Sequence, residues 1–81
     1  MHANEQKLKE VLARVFRLNA AQVTADTSAD TVESWDSLNH LNLMLALESE
    51  FDVRIPADAF SEMLSYPQIC STLARCGVQL S

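Results

Sequence analysis

The spacing of the apolar residues constrains the fold more than any other feature of this sequence. In the N-terminal segment they recur every three or four positions, as Leu8, Val11, Leu12, Val15 and Phe16. This period places them along one face of an α-helix, the face that a helix buries. We expect Asn4 to cap this helix and the helix to end near Arg17 or Leu18.

A second amphipathic helix is predicted from about Ser37 to Glu50. One of its sides is expected to carry Leu38, Leu41, Leu45 and Glu48, with Met44, Leu47 and Phe51 beside them. Leu43 widens the apolar surface beyond a single stripe. A helix of this kind is either central to a bundle or leaves an apolar patch for a partner, and we expect both.

The C-terminal third predicts one short and one longer helix. Residues 52–56 form an extended connection, because the residue before Pro56 avoids the helical region. A short helix is expected from about Ala57 to Met63, with Phe60 and Met63 facing inward. Ser65 and Gly77 are the expected cap and stop of the last helix, since serine suits the first position and glycine the last. Ile69 and Leu73 form its core face, and Cys76 joins them if the helix extends that far.

The composition supports an all-α fold. The sequence holds one glycine and two prolines in 81 residues, which leaves little room for the turns of β-hairpins. We therefore predict a four-helix bundle, with three main helices and one short one, as a single domain over residues 1–81. A long loop, residues 19–36, joins the first two helices, and Val23, Val32 and Trp35 are expected to hold it against the core.

Charge and size exclude several classes of function. Eleven acidic residues against six basic ones give a net charge of −5, so nucleic acids and anionic membranes would be repelled. A chain this short buries a small core, and no catalytic constellation is visible, so we expect a carrier or binding module and not an enzyme. The segment Met1–Glu5 lacks the apolar core of a signal peptide, and no apolar run is long enough to span a membrane. We expect the protein in the cytoplasm.

Neither a disulfide nor a metal site is expected. Cys70 and Cys76 lie in a predicted helix, where six residues rise by about 9 Å. A disulfide needs Cα atoms roughly 4.4–6.8 Å apart, so both cysteines should be free thiols. His2 and His40 are poorly placed to complete a set of metal ligands.

The start of the second helix offers the best candidate for a modified residue. Both Asp36 and Ser37 are good helix caps, and if Ser37 caps, its role is only structural. If Asp36 caps, the Ser37 hydroxyl is free at a helix N-terminus, where a phosphate is electrostatically favoured. His40 lies three residues further on, but no orienting acid or oxyanion hole accompanies it. We therefore expect no catalytic residue here, with His40 at the rim and close to a phosphate on Ser37.

These residues carry a resemblance to a known family. The chain is similar to the acyl carrier proteins in Asp36-Ser37-Leu38, in Leu41, in Met44-Leu45-Ala46-Leu47-Glu48, in Glu50-Phe51 and in Ile55-Pro56. The resemblance runs without gaps from Trp35 to about Leu73, and the first helix and long loop fit the same architecture.

The resemblance implies a function. It makes Ser37 the attachment site of 4′-phosphopantetheine, which a separate phosphopantetheinyl transferase (a holo-carrier synthase) takes from coenzyme A. The thiol of this arm would hold acyl groups as thioesters, and the hard chemistry would belong to the cofactor and the partner enzymes. The implied partners are that transferase and acyl-activating, acyltransferase or ketosynthase enzymes, which a monomeric carrier would visit in turn.

The resemblance also implies where partners bind. Asp36 would contribute recognition next to the attachment site, and the partner-facing residues would be Leu38, Asn42, Met44 and Glu48. Asn39 and Asn42 stand where family members often have acids, and Trp35 is unusual for a fatty-acid carrier. We therefore expect a specialised lipid or polyketide-type pathway. A peptidyl or aminoacyl carrier, or a carrier-like interaction domain that is never loaded, are the alternatives.

Overall fold

The computed structural model describes residues 3–80; Met1, His2 and Ser81 lie outside the described residues, so the reading of the first two residues stays a prediction. The elements are α1 (Ala3–Phe16), a 3-10 helix (Ala20–Gln22), α2 (Ser37–Phe51), α3 (Ala57–Phe60) and α4 (Tyr66–Arg75). Within residues 3–80 no β-strand forms, and one isolated bridge pairs Ser28 with Ser65. The predicted all-α bundle is confirmed.

The core is built from one face of each helix and from three residues of the long loop. Val23, Val32 and Trp35 of that loop are buried, as expected from the sequence. Burying a leucine or a phenylalanine contributes about 1.5–3 kcal/mol relative to leaving it in water. The fully buried large side chains are Leu8, Val11, Leu12, Phe16, Val23, Leu43, Met44, Leu47, Met63, Ile69 and Leu73.

The ends of α1 differ from the prediction. The helix begins at Ala3, so Asn4 lies inside the first turn and is not the cap. Instead, its side-chain Nδ2 donates a hydrogen bond of 2.8 Å to the main-chain oxygen of Gln79. The helix ends at Phe16, because Arg17 adopts a left-handed conformation with φ 58°. Such a residue ends a helix by turning the chain away from its axis.

The long loop is joined to the start of α4 by main-chain hydrogen bonds. The N–H of Ala29 donates to the oxygen of Leu64 at 2.8 Å, and the N–H of Tyr66 donates to the oxygen of Thr27 at 2.8 Å. Together with its buried valines, these bonds fix the loop on the bundle and lead it to the start of α2.

Helix α3 is shorter than predicted. It ends at Phe60, and the chain continues in turns whose hydrogen bonds span three residues. Glu62 N–H donates to Ala59 O at 3.0 Å, and Met63 N–H donates to Phe60 O at 3.3 Å. This tighter winding still carries Met63 into the core, whereas Phe60 is only partly buried.

Helix α4 has the predicted ends. The hydroxyl of Ser65 accepts a hydrogen bond from Gln68 N–H at 3.3 Å, which is the expected N-cap. Gly77 follows the helix with φ 95°, a conformation that favours glycine, and Val78 N–H donates back to Leu73 O at 2.9 Å. Cys70 and Cys76 are both free thiols.

Candidate functional site

Asp36 caps α2, and Ser37 is the first residue of the helix. The Asp36 backbone is extended, and its Oδ1 accepts a hydrogen bond from Asn39 N–H at 2.8 Å. The Ser37 side chain is exposed, and no hydrogen bond joins its hydroxyl to another group within residues 3–80. Of the two arrangements that the sequence leaves open, the structure has the one in which the Ser37 hydroxyl is free.

The surroundings of Ser37 suit an anionic group. The first hydrogen bond of the helix runs from His40 N–H to Asp36 O at 2.8 Å, so the amides of Ser37 and Leu38 precede the helical ladder. Unpaired N–H groups and the positive end of the helix dipole favour a phosphate at this position. The residues present therefore fit a phosphodiester on Ser37.

The loop that leads into Ser37 is held from the side of α1. The Ser34 hydroxyl donates to the main-chain oxygen of Phe16 at 2.9 Å. The indole of Trp35 stacks on the Phe16 ring, with 4.5 Å between ring centroids, and is buried. The expectation that Trp35 seats the loop is confirmed by these contacts.

His40 joins this loop to α3. Trp35 Nε1 donates to His40 Nδ1 at 3.1 Å, and His40 Nε2 lies 2.6 Å from the main-chain oxygen of Phe60. An indole N–H can only donate and a carbonyl can only accept, so the two contacts are satisfied together by the tautomer that carries its proton on Nε2. We call this contact of Trp35, His40 and the Phe60 carbonyl the His40 bridge. Both ring nitrogens are used inside the protein, and the His40 side chain is half-buried. Its closeness to a phosphate on Ser37 stays a prediction.

The two faces of α2 are chemically alike but differ in exposure. Leu43, Met44 and Leu47 are fully buried. The side chains of Leu38, Leu41 and Leu45 are 67%, 47% and 55% exposed, and we call them the leucine stripe. The predicted apolar patch is therefore present, and it begins one residue after Ser37.

Four residues were predicted to face partners, and for Met44 the prediction is wrong. It is fully buried in the core, so no partner can contact it in this fold. Leu38 and Asn42 are exposed, as that role requires. Glu48 is partly buried, and its Oε2 accepts a hydrogen bond from Ile55 N–H at 2.8 Å. That carboxylate therefore stabilises the connection after α2.

Asn39 has a structural role that the sequence did not reveal. Its Nδ2 donates a hydrogen bond of 2.8 Å to the main-chain oxygen of Ser34. A carboxylate at this position could not donate, so the absence of an acid has a local cause. Asn42 makes only a longer contact, 3.3 Å from its Nδ2 to Asn39 Oδ1.

No competing chemical centre is found in the described part of the chain. Within residues 3–80 no cluster of three or more His, Cys, Asp or Glu side chains could hold a metal ion. Burial raises the pKa of the Cys70 thiol and the pKa of the Tyr66 hydroxyl, so both stay protonated at neutral pH. Neither group is an activated nucleophile.

The family model for the phosphopantetheine attachment site matches residues 6–73. The chain belongs to this family. It is a carrier domain and not an enzyme, and the predicted 4′-phosphopantetheine cofactor, covalently attached, is confirmed at the level of the family. Carrier domains of this family interact with phosphopantetheinyl transferases and with enzymes that process acyl groups.

The fold is also that of a known carrier. The solution NMR structure of the holo acyl carrier protein from Geobacter metallireducens superimposes with a TM-score of 0.77 at 22% sequence identity. The match covers 89% of this chain and 83% of that one. Within residues 3–80, no helix has the length and apolar character needed to cross a membrane.

Proposed function

We propose that this carrier is an acyl carrier protein whose attachment residue is Ser37. The observation that carries the proposal is the position of the Ser37 hydroxyl. It is exposed and unpartnered within residues 3–80, and it lies in the first turn of α2 behind the Asp36 cap. The family to which the chain belongs requires one such attachment point.

The chemistry asked of the protein is small. In the loading step the Ser37 oxygen forms a bond to the pantetheine-bearing phosphorus of coenzyme A. The pyrophosphate P–O bond breaks, adenosine 3′,5′-bisphosphate leaves, and the hydroxyl proton passes to a base of the transferase. Once attached, the arm supplies the thiol that carries the acyl group. The protein itself keeps Ser37 accessible and presents α2 to the partner enzymes.

We further infer that the partners belong to a specialised lipid or polyketide-type pathway. The acids of α2 are Glu48 and Glu50, both in its last turn, and Glu48 is occupied by Ile55 N–H. Near Ser37 the helix presents Asp36, the leucine stripe and Asn42. A partner that recognises apolar side chains more than carboxylates fits this surface. Charge complementarity mainly sets on-rate and partner choice, so a surface with few free carboxylates favours a different set of partners.

The attachment site is tested by intact-mass analysis. The purified protein is incubated with coenzyme A and a broad-specificity phosphopantetheinyl transferase. We expect the wild type to gain one phosphopantetheinyl group, Ser37→Ala to gain none, and the control Ser49→Ala, an exposed serine of the same helix, to gain one. A wild type that gains nothing would favour an unloaded interaction domain, and a gain by Ser37→Ala would place the arm elsewhere.

The cargo is tested on the loaded protein. Acyl-activating and amino-acid-activating enzymes are offered the same holo-protein, and thioester formation is measured by mass. We expect acyl loading. Loading with amino acids alone would replace the acyl carrier by the peptidyl or aminoacyl carrier.

A further inference from the structure

In the sequence, Ser37 lies between Trp35 and His40, the two side chains of the His40 bridge. Ser37 follows Trp35 by two residues and precedes His40 by three, and Trp35 Nε1 lies 3.1 Å from His40 Nδ1. Their rings are nearly parallel, with 26° between planes. The backbone that carries Ser37 is therefore closed into a small loop by a side-chain contact between residues 35 and 40.

The other end of the His40 bridge contacts α3, a helix that is too short to be stable by itself. Helix α3 has four residues, and Pro56 at its N-cap provides no side-chain hydrogen bond. A single helical turn is unstable in isolation, so its position depends on tertiary contacts. Ala59 is buried in the core, and the short bond from His40 Nε2 ties the Phe60 carbonyl at its C-terminal end to α2.

The chemistry of the bridge requires a group that accepts on one side and donates on the other. Neutral imidazole does both at a fixed separation. Asparagine can place an acceptor near the position of Nδ1, and glutamine can place a donor near the position of Nε2, but each reproduces one contact only. The identity of residue 40 is therefore matched to both of its neighbours.

We propose that His40 is a positioning residue for the loading of Ser37, because it fixes the start of α2, and hence the Ser37 hydroxyl, relative to α3. The proposal rests on the function proposed above. A transferase that contacts α2 and α3 together meets the serine in one arrangement. Small displacements of a reacting group reduce rates strongly, since about 1 Å can cost about 100-fold.

The test is the steady-state kinetics of phosphopantetheinyl transfer, with the apo-protein as the varied substrate. We expect His40→Ala to lower kcat by about 10-fold or more, with KM changed less, because the leucine stripe stays in place. Ser65→Ala is the matched control. It removes the cap of α4 and lowers Tm, but its own hydrogen bonds involve neither Trp35 nor His40. We expect it to keep the wild-type kcat at a temperature where all variants are folded.

Partial replacements separate positioning from general stability. We expect His40→Asn and His40→Gln each to recover part of kcat, since each restores one end of the bridge. Trp35→Phe keeps a ring against Phe16 but removes the indole donor, and it should also lower kcat. The double variant Trp35→Phe/His40→Ala should lose less than the product of the single losses, because both changes break the same contact.

A direct observation of the bridge does not depend on any variant folding. The ¹⁵N spectrum of the wild-type imidazole should show protonated Nε2 and unprotonated Nδ1 at neutral pH; the opposite tautomer would overturn the proposal. If the wild type accepts phosphopantetheine and the His40→Ala and Trp35→Phe variants both accept it at the wild-type rate, this proposal alone is overturned. A wild type that accepts no phosphopantetheine would overturn the proposed function, and this proposal with it.

Discussion

The two faces of α2 use the same residue type for opposite purposes. Leu43 and Leu47 are fully buried, while Leu38 and Leu45 are more than half exposed. A buried leucine contributes about 1.5–3 kcal/mol to the folded state, and an exposed one contributes little. One face therefore holds the bundle together, and the other can change without loss of the fold.

The difference in exposure is the basis for proposing which face of α2 contacts other molecules. Single exposed apolar residues are ordinary on a protein surface, but three on one helix face form a continuous patch. In this protein the patch starts at Leu38, directly after Ser37, and continues through Leu41 to Leu45. Its position beside Ser37, the proposed attachment residue, is our reason for proposing that partners contact this exposed face.

The largest effect is expected from the buried face. Leu43→Ala should lower the free energy of unfolding by about 2–5 kcal/mol, because it removes buried methyl groups and leaves a cavity. Urea denaturation followed by circular dichroism measures the change. The matched control is Leu41→Ala on the exposed face, which should change stability by less than about 0.5 kcal/mol. Equal losses in the two variants would mean that the faces do not differ as described.

The next effect is expected on the exposed face, in kinetics and not in stability. Leu41→Gln should slow phosphopantetheinyl transfer by about 10-fold, which corresponds to roughly 1.4 kcal/mol of lost apolar contact with the transferase. Its thermal midpoint should stay close to that of the wild type. Leu64→Gln is the control, since Leu64 is 43% exposed and lies outside α2. A similar slowing by both variants would remove the special role of the leucine stripe.

A smaller effect is expected at the border between the faces, where Glu48 accepts from Ile55 N–H. Glu48→Ala should cost about 1–1.5 kcal/mol, because it leaves that amide without its acceptor. Glu48→Gln keeps an acceptor oxygen and should retain most of the stability in urea denaturation. If Glu48→Gln retains stability but strongly slows phosphopantetheinyl transfer, the carboxylate is recognised by the partner, as the sequence resemblance implied.

Most of the fold could be predicted because local signals agreed with one another. The apolar period of α1, the Ser65 cap and the Gly77 stop each act within a few residues, and all three were correct. The errors at Asn4 and at the end of α3 have a different origin. The place of Asn4 in α1 and the length of the short helix α3 depend instead on tertiary contacts, such as the bond from Asn4 to Gln79.

The candidate site could be predicted only in part, for a related reason. Ser37 and Asp36 were found from local helix chemistry and the resemblance. Met44 was assigned to the wrong face because α2 carries so many apolar residues that its period does not say which side is buried. The His40 bridge could not be foreseen, since its partner is a main-chain carbonyl twenty residues away.

The smallest effect distinguishes the two asparagines of α2, which the sequence treats alike. Asn39 donates to Ser34 O at 2.8 Å, whereas the contact of Asn42 is 3.3 Å long and exposed. Both changes to alanine gain about 0.5 kcal/mol of helix propensity, but only Asn39→Ala loses a part-buried hydrogen bond worth about 1 kcal/mol. We therefore expect Asn42→Ala to raise the unfolding midpoint slightly and Asn39→Ala to lower it. If both raise it equally, Asn39 does not hold the loop before Ser37, and its lack of charge would have to be explained by the partner alone.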